Sequence, residues 1–183
     1  MLKLTITSLL ILLTFNLAIA QDKTFTKYIE NGIALHDEGQ YRQAIKQYEK
    51  ALKIDKKSAL ANYEIALSYH ALGDRKAALK YANKAAKGKG SQDMPMLYVM
   101  RGSLLDDGGK AKQAIKVYEQ GIRRFPNDHM LYFNMGITYA RMGMNVKAKN
   151  AFINAIAKNY SHTSSHYYPV SYTHLTLPTK RIV

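Results

Sequence analysis

The sequence predicts an all-α fold: a solenoid of four helical hairpins plus the start of a fifth. Three observations carry that prediction. First, an alanine recurs one helical turn before a ring, as Ala44 before Tyr48, Ala114 before Tyr118 and Ala148 before Phe152. Ala78 with Ala82 is the fourth member, with a small side chain in the ring's place. The leading alanines lie 34, 36 and 34 residues apart, and a fixed period near that length means stacked helical hairpins. Second, Gly39, Gly73, Gly109 and Gly143 stand at the same point of each unit, where a helix end takes a left-handed residue without a Cβ penalty. Third, the apolar residues step with a period of about 3.6, and no long stretch alternates with period two.

Composition agrees. The 183 residues are room for one compact domain or one repeat array. Apolar residues make up 47%, too many for a wholly disordered chain. The absence of Cys excludes a disulfide framework, Cys-ligated zinc, thiol catalysis and lipid attachment through Cys. There are 27 Lys+Arg against 13 Asp+Glu, a formal net charge of +14.

The elements follow in order. Residues 1–20 combine an early Lys3, an apolar run from Leu4 to Ala20 and a small-x-small site at Ala18-Ile19-Ala20. Gln21-Asp22-Lys23 then turns polar. That layout is a secretory signal peptide. It implies an exported product, periplasmic or held at the cell envelope of a Gram-negative bacterium, and without Cys not a lipoprotein. The array occupies 21–160, in repeats at about 25–58, 59–92, 95–128 and 129–162. In 41–54, Ala44, Ile45, Tyr48, Ala51 and Leu52 form one stripe, with Lys46, Glu49, Lys50 and Lys53 opposite. In 59–72, Ile65, Ala66, Tyr69 and Leu72 repeat it. Each first helix has one small residue, Gly32, Ala66, Gly102 or Gly136, so that its partner approaches closely. The two-residue surplus between the second and third repeats falls in a basic loop holding Lys87, Gly88, Lys89 and Gly90. One hairpin cannot bury its own stripe, so neighbours must stack. Residues 161–169, with Tyr167 and Tyr168, read as the start of a truncated fifth repeat, which would leave apolar surface bare on 148–160. Val170 to Thr179 resembles translated read-through of a sequencing adapter. On that reading 170–183 is a non-native tail. Lys3, Lys180 and Arg181 are the only charges at the two ends, so the basic excess belongs to the array.

On these residues the chain resembles the tetratricopeptide repeat (TPR) family. The family's aromatic, Leu-Gly pair and Tyr become Tyr28, Gly32 and Leu35, then Tyr98, Gly102 and Leu105, then Tyr132, Met135-Gly136 and Tyr139. The second repeat departs with Asn62, although Ile65-Ala66 and Tyr69 fit. The closing small residues are Ala51, Ala85, Gly121 and Ala155, and the inter-repeat proline survives as Pro126. The resemblance implies a right-handed superhelix with a concave groove lined by first helices, and a non-enzymatic scaffold for protein–protein interaction. The family's ligand-facing positions fall on Ile29 and Ile33, Tyr63 and Leu67, Val99 and Ser103, and Phe133 and Ile137, with Met96 and Met130 one turn earlier. The stripe is mostly apolar, which suits an apolar helix or extended segment of a protein partner. The Lys and Asn by which some relatives clamp a terminal carboxylate are missing from it.

Two further features stand beside the groove. Lys76, Lys80, Lys84 and Lys87 step 4, 4 and 3 along one face, with Ala78, Ala82 and Ala85 on the packed side. The stripe is either a solvated face or a site for an acidic protein, an anionic glycan or a lipid headgroup. Export and the lack of interleaved aromatics argue against nucleic acid. His36, His70 and Asp106 occupy equivalent positions of successive repeats, yet neighbouring helices sit roughly 10 Å apart. A polar rim is therefore expected rather than a metal site. No zinc-protease, phosphate-loop or nucleophile-elbow motif occurs, so no catalytic residue and no cofactor is assigned. The remaining alternative is a docking arm of a larger envelope protein with a further C-terminal domain.

Overall fold

The computed structural model describes the backbone of residues 2–160 and the side chains of residues 20–159. The expected fifth repeat and the tail lie outside the described residues. Among the described residues, eight α-helices follow one another: α1 (Leu2–Asp37), α2 (Tyr41–Ile54), α3 (Ala59–Ala71), α4 (Arg75–Ala85), α5 (Met96–Asp107), α6 (Ala111–Arg124), α7 (His129–Arg141) and α8 (Asn145–Tyr160). They pair in sequence as α1/α2, α3/α4, α5/α6 and α7/α8, and each pair leans on the next. The fold is the expected all-α solenoid. Helix α1 runs without a break through Ala20 and Gln21, where the sequence puts the cleavage point.

Each hairpin turns on a left-handed glycine, with φ of 75° at Gly39, 78° at Gly73, 74° at Gly109 and 72° at Gly143. The entries to α3, α4 and α7 are capped by side chains. Ser58 Oγ accepts from the Ala61 amide, Asp74 Oδ1 from Ala77, and Asp128 Oδ1 from Met130 and Leu131, satisfying donors that have no helical partner.

The small residue of each first helix is explained by what lies over it. A Cβ at Gly32 or Gly102 would overlap the ring of Tyr48 or Tyr118, and one at Gly136 would sit 2.7 Å from Phe152. The rings thus fill the space inside their own hairpins. The second repeat solves the same problem the other way round. Ala66 already carries its Cβ, and the opposing residue is Ala82; both are fully buried. Tyr69 and Tyr81 stack beside them with centroids 5.5 Å apart. Asn62, in the aromatic's place, is buried and donates from Nδ2 to the Ser58 carbonyl at 2.8 Å. This repeat is closely packed with small residues.

The two-residue surplus also has a structural job. The Lys89 amide donates to the Lys57 carbonyl at 2.7 Å, and the Ala59 amide to the Lys89 carbonyl at 3.0 Å. The basic loop is thereby laced to the preceding inter-repeat turn as a short parallel bridge between Ser58 and Lys89. Gly88 lies at the closest approach, where a Cβ would stand 2.5 Å from the Lys57 carbonyl oxygen.

Candidate functional site

The first helices stand side by side, and polar bonds join them directly. His36 Nδ1 lies 2.9 Å from Ser68 Oγ, between α1 and α3. From α7, Thr138 Oγ1 donates to Asp106 Oδ2 of α5 at 3.0 Å, and Arg141 reaches Asp106 and Asp107 at 3.0 and 2.9 Å. Ser103 Oγ donates to Asn134 Oδ1 at 3.4 Å. The rim expected from His36 and Asp106 is in fact an inter-repeat ladder. Ser68 and Thr138, both fully buried, are its unforeseen half. His70 is exposed. Among the described residues, no group of three His, Asp or Glu gathers as a possible metal site.

Apart from Ser103, the groove residues read from the sequence fall into two layers. Ile29, Tyr63 and Val99 are only 5%, 6% and 7% exposed and belong to the core between helices. They shape the groove from beneath and offer a ligand little surface. Ile33, Leu67, Met96, Met130 and Ile137 are half-buried, and Phe133 is 41% exposed with its ring 5.7 Å from that of Phe152. Leu60, at 37% exposure, joins this upper layer. It occupies in α3 the position that Met96 and Met130 occupy in α5 and α7, so repeat register alone could have found it. Near the end of the face, Ser103, Asp106, Asp107, Tyr118, Asn134, Ile137 and Arg141 line a shallow cleft.

Burial sets the protonation of this face. The Tyr118 hydroxyl, 3.3 Å from Ser103 Oγ, is pushed up to about 12 by desolvation. Glu64, only 6% exposed, is pushed up to about 7, chiefly by burial and with Asp37 adding to the rise. The Tyr48 hydroxyl beside it is fully buried, without a well-aligned hydrogen-bond partner, and is itself raised by burial and by Glu64. A protonated Glu64 can be held there at far lower cost than an ionised one. In the equivalent place between α5 and α7 stands the neutral Asn134, and Arg141 pairs with Asp106 and Asp107 nearby.

The basic residues Lys76, Lys80, Lys84 and Lys87 all project into solvent along one side of α4 and its exit. Lys84 lies 4.6 Å from the centre of the Tyr81 ring, so one aromatic does stand among the lysines, contrary to the reading from sequence. They are brought together as a stripe but away from the apolar face.

A TPR repeat family model matches residues 32–73, and a tetratricopeptide repeat model matches residues 97–128. The fold is that of a TPR solenoid. Among curated proteins, the TPR repeat-containing protein MJ1428 of Methanocaldococcus jannaschii is 27% identical over 124 residues. That match covers 68% of this chain and only 21% of the archaeal protein. Among solved structures, MamA superposes with a TM-score of 0.65 at 22% identity, covering 80% of this chain and 84% of its own. YrrB, described as a TPR protein with an unusual peptide-binding site, gives 0.61 at 25% identity, covering 81% and 76%. The TPR repeats found by both routes support a scaffold for protein–protein interaction.

Proposed function

We propose that the chain is an exported, non-enzymatic scaffold that holds an apolar protein or peptide segment in its concave groove. The observation that carries this reading is the half-exposed upper layer of Leu60, Leu67, Met96, Met130, Phe133 and Ile137 along successive first helices. A groove preformed by stacked helices needs no backbone ordering on binding. The peptide-binding site of YrrB supports the same mode. Export rests on the signal-like segment 1–20.

The test is a peptide-library selection against the mature protein, followed by titration of the selected peptide. Leu67→Glu and Phe133→Glu are expected to weaken binding at least tenfold while the helical circular-dichroism signal stays. Undiminished binding in both variants rules the groove out. Tyr63→Glu is unsuitable, because it would place a charge in the core and report on folding. Mass spectrometry of the exported protein should find Gln21 at the N-terminus.

The exposure of the whole lysine stripe favours a second reading, in which the same protein also meets an anionic glycan or lipid surface. Salt-sensitive binding to anionic vesicles, lost on reversing Lys80 and Lys84, would establish it.

A further inference from the structure

The second helices of the first three repeats share a polar outward side. Near their starts stand Arg42, Lys76 and Lys112, and seven residues on stand Glu49, Asn83 and Glu119, all exposed. Helix α8 breaks the rule at both positions. Val146 is 75% exposed and Ile153 52% exposed. Ile156, 57% exposed, continues the stripe, and its counterparts Leu52, Ala86 and Ile122 are half-buried under a following hairpin. A further hairpin would therefore cover Ile156, but it does not account for Val146 and Ile153. Their positions stay in solvent in all three repeats that do have a neighbour stacked upon them. Something outside the solenoid's own repetition is needed to bury them.

The charges around the stripe select the occupant. Helix α8 carries Lys147, Lys149 and Lys158 and no carboxylate. Lys147 lies over the Tyr139 ring and Lys158 donates to Asn127 Oδ1, while Lys149 is exposed beside the stripe. Two copies of α8 face to face would oppose lysine to lysine with no acid to relieve them. The exposed apolar residues are stiff, β-branched Val and Ile, which lose little rotamer freedom when packed. They include no aromatic or Leu of the kind that seats a helix in a lipid interface. We propose that the outward face of α8, built on Val146, Ile153 and Ile156, is a second docking face. It takes an amphipathic helical segment of a partner protein whose apolar stripe is flanked by Asp and Glu.

The test uses the full chain and two synthetic helical peptides with the same Leu/Ile stripe, one with Glu and one with Lys at the remaining positions. The Glu peptide is expected to bind, and to weaken as salt rises. The double variant Val146→Arg/Ile153→Glu restores what the first repeat carries, so it should keep the wild-type helical signal and bind the Glu peptide at least tenfold more weakly. Lys149→Glu leaves the apolar stripe intact and should shift preference toward the Lys peptide, which keeps the idea testable if the double variant fails to fold. Phe133→Glu should leave binding unchanged. Equal binding of both peptides, or no loss in the double and Lys149 variants, overturns the proposal. So does a concentration-dependent dimer that the double variant abolishes, binding to anionic vesicles but not to the Glu peptide, or tenfold tighter binding once the chain is ended at Tyr160.

Discussion

At the scale of single residues, packing between the two helices of a hairpin is a matched choice of two side chains. Gly32 with Tyr48, Gly102 with Tyr118 and Gly136 with Phe152 are one solution, and Ala66 with Ala82 is the other. Gly102→Ala should therefore destabilise by about 1–3 kcal/mol through overpacking. The same change made in a Tyr118→Ala background should cost close to nothing, because that pair reproduces the second repeat. Urea denaturation of the four proteins reads the coupling, and purely additive effects would refute the matched-pair account. Glu64 carries a second prediction. Its carboxyl titrates near 7 in the fold and near 4.5 in the open chain, so the folded state binds more protons between those values. Its contribution to stability is full below about pH 4.5 and is lost as pH rises through 7. The loss is on the order of 3 kcal/mol at 1.36 kcal/mol per pH unit. Glu64→Gln should flatten that slope and raise the melting temperature at pH 8 more than at pH 5.

At the scale of elements, the helices and their glycine turns are legible in the sequence because their causes are local. The 3.6-residue stripe and the left-handed turn need only near neighbours. The laced loop between the second and third repeats is different, since its two amide bonds join residues about thirty positions apart. Gly88→Val should strike the Lys57 carbonyl and the Ala59 backbone and destabilise by about 1–3 kcal/mol. Hydrogen exchange at the Ala59 and Lys89 amides should rise by more than at amides within α6. Equal changes at both places would show that the loop is not an independent tie.

At the scale of the whole molecule, each hairpin leans chiefly on its neighbours, so stability should be distributed along the array. Helix α8 packs chiefly on α7 and keeps Val146, Ile153 and Ile156 in water. Amide protection should accordingly be highest in α3 to α6 and lowest in α8, as measured by exchange mass spectrometry. Uniform protection would mean that the array opens as a single body. The groove was legible only as a face. Register placed Ile29, Tyr63 and Val99 on the inner side of the first helices, but how far each sinks depends on the crossing of three helices at once. Leu60 rose into the same surface for the same reason.

What the sequence by itself determined is the repeat: its period, its turns, the small position in each first helix and the direction in which each stripe faces. All of these follow from the chemistry of one hairpin and its copy. Only the tertiary structure decided which apolar residues remain at the surface, that Ser68 and Thr138 rivet neighbouring first helices, and that Glu64 is enclosed beside Tyr48. Those outcomes depend on distances between helices that come together only when hairpins stack, and burial, not residue type, sets their exposure and charge.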